Sequence, residues 1–66
     1  MTYSIDAAKK LTESFYLEVA NSKQYNEALK STVLGVIDTA RAELEKDNVQ
    51  MWATLIKLGE SIWQRK

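Results

Sequence analysis

The sequence predicts an all-α protein: a small bundle of three helices with a long middle helix. Its 66 residues contain no proline and only two glycines, so few residues interrupt a helix. Neither a sustained apolar/polar alternation nor an Asn-Gly or Asp-Gly turn, the usual signs of strands and hairpins, is present. Apolar residues instead recur at steps of three and four residues in three segments, which is the period of an amphipathic helix.

The first predicted helix covers residues 5–20. Ser4 is a suitable N-cap, because its hydroxyl can accept a hydrogen bond from a free amide of the first turn. Asp6 then places an anion where the helix dipole favours one. One apolar stripe is expected to face the core, and it consists of Ile5, Ala8, Leu11, Phe15 and Val19.

The second predicted helix is the longest and covers residues 23–46. Asn21 or Ser22 can cap it, and with Asn21 as the cap Gln24 completes a capping box. Its apolar stripe consists of Tyr25, Leu29, Val33, Val36, Ile37, Ala40 and Leu44. A helix of about 24 residues spans about 36 Å. Part of this stripe should therefore extend past the shorter neighbouring helices and stay exposed in an isolated bundle.

The third predicted helix covers residues 48–65, with Asp47 as its N-cap and Gln50 as the partner in a capping box. One apolar side, the tryptophan seam, consists of Trp52, Ile56, Gly59 and Trp63. We expect it to face the core of the chain, because two large tryptophan side chains are rarely left exposed together. Beside it, the second seam consists of Met51, Leu55, Leu58 and Ile62 at coiled-coil spacing. A helix that is apolar over so wide an arc is normally buried on more than one side.

The short length of the chain predicts association. Below about 70–80 residues a single core rarely supplies more than about 3–5 kcal/mol. With no cysteine and no histidine, disulfides are excluded and the commonest metal ligands are missing, so we expect no cofactor. We therefore predict that dimerisation completes the bundle and that a further protein partner is bound. The predicted interface residues are Met51, Leu55, Leu58, Ile62 and Leu34.

Two glycines fall within or beside the apolar stripes, and the sequence leaves two roles open for each of them. Gly35 and Gly59 each cost about 1 kcal/mol relative to alanine inside a helix. Each either lets a backbone or an aromatic ring approach closely, or is a tolerated adjustment of the packing.

The predicted function is a non-enzymatic protein–protein interaction module, such as a small regulator, adaptor, inhibitor or chaperone. Nine basic and nine acidic side chains give zero net charge, without the basic excess of a nucleic-acid-binding protein. The alternative is a small helical DNA-binding regulator. A helix-turn-helix with its turn at Gly35 would place Asp38, Glu43 and Glu45 on the recognition helix, where they would repel phosphate. We therefore expect no nucleic-acid partner.

Enzymatic and membrane functions are not expected either. A serine or threonine nucleophile would lack the usual histidine base. Glu43 and Asp47 share one side of a helix, but two carboxylates are too few oxygens for a hard cation. The apolar run of residues 33–37 is too short for a bilayer, which needs about 20 residues. Because no secretory signal pattern is visible, we expect a cytoplasmic location and no membrane partner.

Overall fold

The computed structural model describes residues 4–23 and 26–64, and within these ranges the chain forms three helices and no strand. Helix α1 spans Ile5–Ala20, α2 spans Glu27–Glu45 and α3 spans Val49–Gln64. The all-helical prediction is confirmed. Helix α2, with 19 residues, is longer than α1 and α3, with 16 each. The predicted end of the third helix at residue 65 lies outside the described residues.

Helix α1 begins as the sequence predicts but turns a slightly different side to the core. The Ser4 hydroxyl accepts a hydrogen bond from the amide of Ala7 at 3.1 Å. The buried residues are Ala8, Thr12, Phe15 and Val19. Leu11, predicted to lie in the core, is instead 39% exposed, and Thr12 is buried in its place. Spacings of 8-11-15-19 and 8-12-15-19 both suit a helix, so periodicity alone could not separate them.

The predicted start of the second helix is wrong by four residues. Asn26 is the N-cap of α2, and its side-chain oxygen accepts from the amide of Leu29 at 2.7 Å. Asn21 instead ends α1, and its backbone N–H donates to the carbonyl of Leu17. Asparagine suits both ends of a helix, so its type alone did not decide between them. The predicted contributions of Gln24 and Tyr25 lie outside the described residues.

A tight turn joins α2 to α3, and here too the predicted cap is off by one residue. Asp47 has φ 63°, the left-handed conformation that commonly follows a helix. Its amide donates to Leu44 and the next amide donates to Glu43, both at 2.9 Å, which is the Schellman pattern. Asn48, rather than Asp47, caps α3 by accepting from the amide of Met51 at 3.2 Å. Asp47 cannot cap α3 because its backbone is already committed to ending α2.

We expect Asp47→Gly to raise the free energy of unfolding by about 0.5–1 kcal/mol, since the left-handed conformation is costly for a residue with a Cβ but not for glycine. Urea denaturation of both proteins measures this difference. Lys46→Gly is the matched control, because Lys46 has φ −88° and gains no conformational relief. An Asp47→Gly protein no more stable than the parent would contradict the strain at this turn.

Helix α2 packs against both other helices, whereas α1 and α3 contact each other only over a short stretch. The core joins the buried side of α1 to Val33, Ile37, Ala40 and Leu44 of α2 and to the tryptophan seam of α3. Every residue of the tryptophan seam is buried, as predicted. This arrangement fixes the rotation of α3 and so determines where its second seam lies.

Candidate interaction surface

The second seam of α3 lies partly on the surface. Met51 is 45% exposed and Leu58 is 49% exposed. Leu55 and Ile62 are half-buried and pack against the core. Large apolar side chains that are exposed singly are ordinary. Here two of them share one side of a helix with two half-buried neighbours, which makes an apolar strip along α3.

The structure separates Leu34 from these four residues. Leu34 is half-buried against the core and precedes Arg41 by seven residues, so both lie on the same side of α2. The Arg41 guanidinium contacts α1 there, with Nη2 2.8 Å from the Glu13 carboxylate and the Tyr16 ring centroid 5.0 Å away. Leu34 thus belongs to the α1 side of α2. Val36, by contrast, approaches α3 near Gly59.

The two internal glycines have opposite surroundings. A Cβ on Gly59 would lie 3.3 Å from the Phe15 ring and 3.5 Å from Val36 Cγ1. A Cβ on Gly35 would meet nothing within 4 Å. The question left open by the sequence is therefore answered: Gly59 is where a side chain of α1 packs closely against α3, and Gly35 is exposed on α2.

A buried hydrogen bond links α1 to α3, and the sequence analysis missed it. The indole nitrogen of Trp52 donates to Thr12 Oγ1 at 2.7 Å, and that hydroxyl donates to the carbonyl of Ala8 at 2.7 Å. Thr12 and Trp52 are each 1% exposed. The available signal was the 8-12-15-19 spacing, together with the need of a buried tryptophan N–H for an acceptor.

Shallow grooves lie on both sides of α1 in the described part of the chain. One, of about 290 Å³, lies between α1 and α3 and is lined by Leu11, Trp52, Ala53, Ile56, Lys57 and Glu60. The other, of about 200 Å³, lies between α1 and α2 and is lined by Lys9, Thr12, Glu13, Arg41, Leu44 and Glu45. Charges of both signs line this second groove, so it favours neither an anion nor a cation. Lys57 and Glu60 are on the side of α3 that faces α1, away from the second seam.

The Glu43 carboxylate has local partners. Glu43 accepts from Lys46 Nζ at 3.4 Å and from the Asn48 side-chain amide at 3.2 Å. In the described part of the chain, no three acidic, histidine or cysteine side chains are grouped to hold a metal ion. Gly35 lies inside the continuous helix α2, so the turn that a helix-turn-helix would need there does not exist.

Over residues 4–23 and 26–64 no helix combines the length and the apolar character needed to cross a bilayer. The candidate surface is an apolar strip on α3. It lies beside a core to which, among the described residues, α1 contributes three buried apolar side chains, α2 four and α3 three. No protein-family model, curated protein or solved structure matches this chain.

Proposed function

We propose that this protein is a non-enzymatic interaction module that forms a homodimer through the second seam of α3 and acts on other proteins by contacts between helix faces. The observation that carries the proposal is the joint exposure of Met51 and Leu58 on one apolar side of α3. Methionine suits such a surface, because its flexible thioether adapts to irregular contacts. A small regulator, adaptor, inhibitor or chaperone would use a surface of this kind.

Energetic considerations support association. Fully burying a leucine or methionine side chain is worth about 1.5–3 kcal/mol. Met51 and Leu58 have about half of that still to gain, and a symmetric dimer counts each gain twice. The sum is comparable with the stability of about 3–5 kcal/mol that a core of this size supplies.

The experiment replaces Leu58 with glutamate. We expect the parent protein to be a dimer at high micromolar concentration and Leu58→Glu to be a monomer, because a dimer would have to bury the new charge against an apolar surface. The variant should keep its helical circular dichroism, since Leu58 is 49% exposed within the single chain. Size-exclusion chromatography with light scattering over a dilution series measures the masses.

Lys57→Glu is the matched control. It introduces the same side chain one residue away, on the side of α3 that faces the α1–α3 groove. We expect it to dimerise like the parent protein. A parent protein that stays monomeric at high micromolar concentration would refute the homodimer, and a Leu58→Glu variant that dimerises like the control would refute the second seam as its interface.

A further inference from the structure

The second seam has a spacing that reads the same in both directions. Its residues follow one another at steps of four, three and four, from Met51 through Leu55 and Leu58 to Ile62. In heptad terms these are alternating d and a positions. If two copies of α3 lie antiparallel about a twofold axis between Leu55 and Leu58, Met51 of each copy faces Ile62 of the other. Leu55 then faces Leu58 of the other copy in the same way.

The exposures of the four residues match under this operation. Met51 and Leu58 protrude, with 45% and 49% of their surface exposed. Leu55 and Ile62 are recessed and half-buried against the core. The antiparallel twofold pairs each protruding residue with a recessed one. A parallel pairing would place Met51 against Met51 and Leu58 against Leu58, so protruding residues would collide while recessed ones stayed apart.

The charges also permit the seam to pair with itself. Two copies related by a twofold axis present the same surface to each other, so charges of one sign along the seam would face charges of that same sign. The exposed residues that border the seam on α3, Thr54 and Ser61, are uncharged. Lys57 and Glu60 lie on the groove side. Near the start of α3, the last turn of α2 carries Glu43, whose carboxylate is paired with Lys46.

We propose that α3 binds α3 of a second copy of this chain in antiparallel orientation, with Met51 against Ile62 and Leu55 against Leu58. The inference rests on the proposed homodimer and specifies its geometry. A standard interface needs about 800 Å² per partner, about one sixth of the 4704 Å² that this chain exposes. The proposed contact is a single pair of helices of 16 residues, each about 24 Å long, so we place the dimer among the weak, concentration-dependent ones.

The test uses disulfide trapping, which is clean because the chain has no cysteine of its own. Met51→Cys and Ile62→Cys are made as separate proteins, one with a mass tag, then mixed in equal amounts and oxidised at a concentration where the parent protein is dimeric. Antiparallel pairing should yield mainly the mixed disulfide, far above the share that random pairing gives. Mass spectrometry counts the three products. Lys57→Cys, mixed with either protein, is the control and should yield only random products.

A second measurement leaves the apolar residues intact. In the antiparallel dimer, Thr54 of one copy flanks Ser61 of the other. The double variant Thr54→Lys, Ser61→Glu should therefore lower the dimer dissociation constant several-fold at low salt, and Thr54→Lys, Ser61→Lys should raise it. Sedimentation equilibrium measures both constants.

The outcomes separate the geometry from the homodimer itself. Predominant homodisulfides, with equal dissociation constants for the two charge variants, would overturn the antiparallel arrangement while leaving the dimer standing. Random disulfides from a parent protein that sediments as a monomer would overturn both proposals.

Discussion

Replacing Thr12 with valine should lower the free energy of unfolding by about 1–3 kcal/mol, although the two side chains have nearly the same shape. The Thr12 hydroxyl accepts a hydrogen bond from the indole N–H of Trp52 at 2.7 Å, and both side chains are buried. Removing one partner of a buried hydrogen bond costs far more than an exposed bond is worth, because the remaining group loses its partner where water cannot easily replace it. On a core worth about 3–5 kcal/mol, this loss is large.

Thr39→Val is the matched control for this prediction. The Thr12 hydroxyl also donates to the carbonyl of Ala8, four residues earlier. The Thr39 hydroxyl donates in the same way to the carbonyl of Gly35, at 3.0 Å, but Thr39 is exposed and lies on α2. We expect its replacement to change stability by less than about 0.5 kcal/mol, as is usual for a surface substitution. Chemical denaturation followed by circular dichroism measures both variants. Equal losses in the two would show that the bond from Trp52 contributes nothing of its own.

A double-mutant cycle isolates the Thr12–Trp52 pair. Trp52→Phe removes the indole N–H, so Thr12→Val should cost less in that background than in the parent protein. Coupling energies of residues in contact are about 0.5–3 kcal/mol. A coupling energy of zero would contradict the hydrogen bond as a stabilising contact between α1 and α3.

Gly59→Leu should destabilise the protein by about 1–3 kcal/mol, because it places a branched side chain into an occupied part of the core. A Cβ alone would already lie 3.3 Å from the Phe15 ring. The rest of a leucine side chain would have to displace either that ring or Val36, and both pack against the tryptophan seam. The melting temperature followed by circular dichroism measures the loss.

Gly35→Leu is the matched control for Gly59→Leu, and we expect it to cause no loss of stability. No atom would contact a Cβ at Gly35, so only the helix propensity changes. Leucine is the better helix former by up to about 1 kcal/mol, and the variant should be as stable as the parent protein or more so. If both glycine variants shift stability in the same direction, the close contact at Gly59 is not what determines the effect.

The caps of the helices show how far sequence reasoning reaches. Ser4 directly precedes the first residue of an apolar stripe, so its role as the N-cap of α1 followed from residue type and position. Asn21, Asn26, Asp47 and Asn48 are all good capping residues that lie close together in two short breaks. Which of them caps depends on where the preceding helix ends. That point is set by the turn geometry, such as the left-handed Asp47, and not by residue type.

The apolar periodicity of the sequence by itself determined the helical class, the tryptophan seam and the presence of a second seam on α3. Only the tertiary structure decided that Thr12 is buried instead of Leu11 and that Gly59 is crowded and Gly35 open. It also decided that Leu34 lies on the side of α2 where Arg41 contacts α1. The physical reason is that periodicity fixes the direction of a side chain relative to its own helix axis. Exposure depends on which neighbouring helix lies in that direction, and this follows from packing between segments that are distant in the chain.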